Sequence, residues 1–189
     1  DGVTAHLQTI VGDCDLIVGT EEEFHIAGGS QNTIAALRAV RKLSAATLVC
    51  KRGPMGCSVF TGAIPDSLDE GIRGPGFPVE VYNVLGAGDA FMAGFLRGWL
   101  RDEPMETCCT YANASGAFAV SRLLCSAEYP TSDELQFFLK NGSTHFALRH
   151  DKALNDLHWA TTRRPQPAAL KILSIDHRMP LIALAQKHN

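Results

Sequence analysis

Four residues, Gly86-Ala87-Gly88-Asp89, stand between an alternating apolar stretch (Val79 to Tyr82) and a run of small residues with helical spacing that ends near Leu100. Small residues at a strand-to-helix turn let backbone N–H groups approach an anion, and the helix dipole favours negative charge there. Asp89, in the first helical turn, sits beside the same anion. Together these groups suit phosphoryl transfer: the N–H groups hold the transferring group as charge develops, and the carboxylate accepts the proton of the attacking hydroxyl. The same residues also fit a tight turn followed by an ordinary first-turn carboxylate. A dinucleotide-binding turn needs a third glycine, G-x-G-x-x-G, and Phe91 occupies that position.

Such a turn needs a sheet behind it. Asp15 to Val18, Thr47 to Cys50, Cys57 to Phe60 and Val79 to Tyr82 read as short buried strands, the second and third joined across Gly53-Pro54-Met55-Gly56. Helical patterns cover Val3 to Val11, Glu21 to Ile26, Thr33 to Leu43, Gly88 to Leu100 and Met105 to Leu123. Thr131-Ser132-Asp133-Glu134 has the form of a capping box opening a further helix, Leu135 to Lys140. Residues 61–78 hold four glycines and three prolines and are expected to form a surface excursion. Strands alternating with helices predict an α/β layer with a largely parallel sheet.

Composition narrows the partners. With 46% hydrophobic and 20% charged residues and a formal charge of -3 over 189 residues, the chain lacks the basic patch that nucleic acid requires. Neither an uninterrupted apolar run of membrane-spanning length nor a basic-then-apolar leader is present, so the cytoplasm is the expected address. The six cysteines (Cys14, Cys50, Cys57, Cys108, Cys109 and Cys125) show no paired spacing with histidines, and reduced, mostly buried thiols are expected rather than a zinc site. The absence of a leading Met, a start inside a helical pattern and a new strand-like run at Lys171 to Ile175 read as a segment of a longer protein.

Asn83 to Leu96 resembles the carboxy-terminal motif of the ribokinase-like (PfkB) carbohydrate kinases. Gly86, Ala87, Gly88 and Asp89 match position for position, and Ala90, Phe91, Gly94 and Phe95 continue the match. In many members an aspartate and then Thr or Pro precede the turn, where Asn83-Val84-Leu85 stands here. The resemblance implies the later half of a ribokinase-like, doubly wound fold over residues 1–150. It also implies ATP and Mg²⁺, with a sugar or sugar acid as acceptor. The glycines and Ala87 then form the anion hole and Asp89 is the base.

Two further stretches are similar to family motifs. Thr20 and Glu23, or Glu22 in a shifted register, take the places of an N-x-x-E motif whose glutamate organises the Mg²⁺–phosphate shell, acting on the metal indirectly. Residues 50–56 resemble the turn along the nucleotide phosphates, with Gly53 and Gly56 in place and Lys51 or Arg52 available to a phosphate. Tyr111 to Ala114, including Asn113, falls where the family lines its adenine pocket.

The wording of residues 19–24, 51–57, 83–89 and 94–100 is similar to a narrower group, the 5-dehydro-2-deoxygluconokinases of myo-inositol breakdown. Some bacterial members carry a carboxy-terminal aldolase-like domain. That implies a linker over 151–170 and the start of such a domain at 171–189, with no role assigned to Asp176-His177-Arg178. A kinase-like binding module without catalysis, a kinase for 2-keto-3-deoxygluconate, fructose or ribose, and a dinucleotide-dependent oxidoreductase are the rival readings. The oligomeric state of a full-length protein stays open, a homo-oligomer included.

Overall fold

Strong caps organise the first half of the chain. In the computed structural model, which describes residues 2–123, 125–162 and 186–187, helix α1 (Gly2–Ile10) leads into strand β1 (Leu16–Thr20). The Thr20 hydroxyl accepts the Glu23 N–H and the Glu23 carboxylate accepts the Thr20 N–H at 2.6 Å. This capping box turns strand into helix within one residue, opening α2 (Glu21–Gly28). Helix α3 (Thr33–Leu43) has the limits expected from its apolar spacing, with Asn32 accepting the Ala35 N–H at 2.9 Å and Leu37 and Val40 fully buried. Strands β2 (Thr47–Lys51), β3 (Cys57–Phe60) and β4 (Ile72–Gly74) follow, then helices α4 (Ala87–Trp99), α5 (Met105–Ser121), α6 (Ser132–Asn141) and α7 (Lys152–Thr162).

The sheet runs β1-β2-β3-β4. It is mixed: β1 and β2 are parallel, while β2–β3 and β3–β4 are antiparallel. The reason that the sheet is less parallel than expected is the short Gly53–Gly56 turn, which leaves no room for a crossover and returns the chain beside itself. Residues 61–78, expected as a surface excursion, contribute β4 and the buried Ile64. Val79 to Tyr82, expected as a strand, is extended but outside the ladder. The N–H of Glu80 donates to Phe146 O at 2.8 Å and that of Tyr82 to Val120 O at 2.7 Å. Its alternation is nonetheless real, because Val79 and Val81 face a cavity while Glu80 pairs with Arg149.

Helices cover both faces of the sheet, giving three layers. On one face Phe24 of α2 and Leu37 and Val40 of α3 pack on Leu48, Cys50 and Phe60. On the other, Phe91 and Phe95 of α4 and Cys108, Cys109 and Ala112 of α5 pack on Val49, Cys57 and Val59. Helices α4 and α5 touch closely: a Cβ on Gly94 would lie 2.5 Å from the Tyr111 carbonyl oxygen. The outer side of α5 carries a third cluster, in which Ala114 and Phe118 meet Leu135 and Phe138 of α6 and Leu154 of α7.

Thr131 caps α6 as expected, accepting the Glu134 N–H at 3.3 Å. The Glu134 carboxylate does not complete a box; it turns inward to Arg122 and to His158 at 2.9 Å. All six cysteines are free and four of them are buried. Part of the expected linker, residues 152–162, is α7; the expected strand at Lys171 to Ile175 and Asp176-His177-Arg178 lie outside the described residues. Among the described residues no helix is long and apolar enough to cross a membrane.

Candidate nucleotide and phosphate site

A cavity of about 460 Å³ opens between α5, the start of α4 and the extended segment after β4. That is within the usual volume range of small-molecule pockets. Asn113 and Ala117 of α5, Phe91 of α4, and Phe77 and Val79 of the extended segment are among its walls. Asn113 is nearly buried, and its amide donates to the Cys57 sulfur at 3.3 Å, which fixes its orientation. Gly53, Gly56 and Lys51 form the rim on the hairpin side. The two glycines take φ of +55° and +86° in the turn, so they serve the hairpin and the rim at once.

At one end the cavity reaches Ala87, the first residue of α4. Gly86 caps this helix with φ +82°, a left-handed conformation in which glycine carries no Cβ penalty. Its carbonyl accepts the Ala90 N–H at 2.9 Å, and the Ala87 N–H closes a turn to Val84 O at 3.2 Å. The N–H groups of Gly88 and Asp89 have no acceptor among the described residues and are free for an anion. The Lys51 ammonium lies beside Gly88: a Cβ there would be 3.5 Å from its Nζ. Lys51 in turn pairs with the Glu23 carboxylate at 3.5 Å. The Thr20 N–H, after it Lys51, holds the Glu23 carboxyl below the usual carboxylate range against the opposing effect of burial. Asp89 is exposed in the first turn of α4.

The expected residues therefore divide. Lys51, Glu23, Thr20, Gly86, Ala87, Gly88 and Asp89 gather around the start of α4 and the end of β1 and β2, and Gly53, Gly56 and Asn113 border the cavity. Arg52 goes elsewhere, its guanidinium donating to Asp69 at 2.7 Å. Among the described residues no cluster of three or more His, Cys, Asp or Glu side chains is placed to hold a metal ion. A Mg²⁺ ion keeps several waters and takes most protein charge from one or two carboxylates plus substrate phosphates, and Glu23 beside Lys51 fits that modest demand.

Sequence reasoning missed the apolar walls Phe77, Val79, Val81 and Phe146: the alternation at Val79 and Val81 reads equally well as a strand, and Phe146 comes from a distant part of the chain. It also missed Tyr129, whose hydroxyl donates to the Gly86 carbonyl at 2.7 Å. An aromatic residue directly before Pro130, at the entrance to a capped helix, was the available signal.

Helices on both faces of a mixed sheet define a ribokinase-like α/β fold, and its apolar slot ends at a glycine turn and a free helix start. The chain matches the model of the pfkB family carbohydrate kinases over residues 2–132, and it belongs to that family. Residues 134–189 match a second model, described as an uncharacterized protein conserved in bacteria (DUF2090). The 5-dehydro-2-deoxygluconokinase of Geobacillus kaustophilus is 30% identical over 137 residues, 69% of this chain and 39% of that protein. That of Lacticaseibacillus casei is 31% identical over 140 residues, 71% of this chain and 40% of that protein. Among solved structures, the fructokinase of Vibrio cholerae with fructose, ADP and calcium ion bound superposes with a TM-score of 0.62. It is 27% identical, over 72% of this chain and 44% of that one. The chain thus spans about two fifths of the length of the curated relatives it matches.

Proposed function

We propose that this chain supplies the nucleotide slot, the phosphate-binding turn and the base of a cytoplasmic, ATP-dependent kinase that converts 5-dehydro-2-deoxy-D-gluconate to its 6-phosphate in myo-inositol degradation. The observation that carries the reading is that Lys51 lies beside Gly88 at the start of α4, where the N–H groups of Gly88 and Asp89 are free and Ala87 borders one apolar cavity, with Asp89 exposed in the same turn. The acceptor oxygen attacks the γ-phosphorus, its proton passes to Asp89, and the bond to the bridging oxygen breaks to release ADP. Lys51 and the two N–H groups stabilise charge on the transferring group. Mg²⁺, when bound, would supply further charge neutralisation, and Glu23 is the carboxylate that would help hold it. The choice of acceptor rests on the 30% and 31% identical relatives, which are 5-dehydro-2-deoxygluconokinases. On this reading the kinase segment runs to residue 150. A linker (151–170) and the start of an aldolase-like domain follow. Packing of α6 against α5 supports keeping α6 with the kinase.

The test is ADP release by the protein with 5-dehydro-2-deoxygluconate, ribose, fructose and 2-keto-3-deoxygluconate, each against Asp89→Asn. The expected result is release with the first alone, reduced on the order of 10²- to 10⁴-fold in the variant while ADP affinity stays within a few fold. Release with another sugar would keep the kinase and discard the acceptor. Equal turnover in the variant would sink Asp89 as the base.

A further inference from the structure

The turn that carries Gly88 and Asp89 has a support that the family motif does not include. Tyr129 donates its hydroxyl hydrogen to the Gly86 carbonyl, the same oxygen that accepts the first helical N–H of α4. The approach is close enough that a Cβ on Gly86 would lie 2.5 Å from the phenol oxygen. Tyr129 is itself held from both sides. The buried Arg122 donates to the Glu128 carbonyl at 3.1 Å and pairs with the buried Glu134, and Thr131 caps α6 two residues on. Burial, and after it the Asp89 carboxylate, push the phenol's pKa up, so near neutral pH it remains a donor.

We propose that Tyr129 is a positioning residue for phosphoryl transfer: through the Gly86 carbonyl its hydroxyl sets where the free N–H groups of Gly88 and Asp89 and the Asp89 carboxylate point. This rests on the kinase reading above. A side chain that merely fills space would act through its ring, whereas a positioning role lies in the hydroxyl. Tyr129→Phe separates the two, because it keeps the ring and loses only the donor. A neutral hydrogen bond is a small lever, yet an anion hole misaligned by a fraction of an ångström loses much of its effect.

The experiment compares wild type with Tyr129→Phe in two ways. In the first, inorganic pyrophosphate and, separately, adenosine are titrated while the amide resonances of Gly88 and Asp89 are followed. In the second, kcat and KM for ATP are measured with the sugar that the wild type accepts. Pyrophosphate affinity and kcat falling about tenfold, with adenosine affinity and KM unchanged, is the expected result. Wild-type pyrophosphate affinity and kcat in the variant would overturn the role of Tyr129 and leave the kinase reading intact. Equal loss of pyrophosphate and adenosine binding would also overturn it, since that marks a general disturbance of the cavity. A wild type without Asp89-dependent transfer would overturn the kinase reading itself, and a wild type whose Gly88 and Asp89 amides ignore pyrophosphate would overturn the proposed positioning.

Discussion

Replacing Gly86 by alanine perturbs the turn before α4 in two separable ways, and a double-mutant cycle with Tyr129→Phe tells them apart. An L-residue at φ +82° is strained by about 1–2 kcal/mol. The new methyl would also stand 2.5 Å from the Tyr129 oxygen, so the phenol must move and its hydrogen bond, worth about 1 kcal/mol, is lost. Gly86→Ala should therefore cost about 2–3 kcal/mol in the wild-type background. Without the hydroxyl, the nearest ring atom is 3.4 Å from the methyl, ordinary contact; the backbone strain and a Cys125 Cβ contact at 3.2 Å remain, and both are common to the two backgrounds and cancel in the cycle. The expected coupling is about 1 kcal/mol, large enough to resolve by urea unfolding of the four proteins. Equal costs of Gly86→Ala in both backgrounds would refute the close approach, and a neutral Gly86→Ala would refute the left-handed cap itself.

Other outcomes follow from the surroundings of the site. Glu134→Ala should lower stability by about 3–5 kcal/mol in denaturant unfolding, because it leaves the guanidinium of Arg122, 2% exposed, without its buried partner. Burial pushes the Cys50 thiol up to about 12, so iodoacetamide at mildly alkaline pH should label the exposed Cys14 first and reach Cys50 only on unfolding, as read by peptide mass. The Glu23 carboxyl is held below its ordinary value of 4.5; its contribution to stability is complete above that value and is lost as the pH falls through the lower folded value. Glu23→Gln should accordingly flatten that part of the acid limb when urea midpoints are compared across pH.

Much of this could be read from the chain because it is local. Thr33 to Leu43 carries its own cap, apolar stripe and basic end, so its limits needed no tertiary information. The glycine turn before Asp89 announced a helix start for the same reason. What failed was long-range. Val79 and Val81 alternate whether they face a neighbouring strand or a cavity, and only the carbonyls of Val120 and Phe146 decide between them. Lys51 and Arg52 are adjacent and both cationic, yet one side chain goes to Gly88 and the other to Asp69. β4 is three residues long between glycines and prolines, too short to register as a pattern.

Helix α5 lies between two apolar clusters, giving Cys108, Cys109 and Ala112 to the sheet side and Ala114 and Phe118 to α6 and α7. Neither cluster can open without baring the other side of the same helix, so the two should melt as one cooperative unit. The amides in the middle of α5 should then exchange with deuterium more slowly than those of the peripheral α1, none of whose residues is buried. The wall of the cavity around Asn113 and Ala117 would share that protection before any ligand arrives.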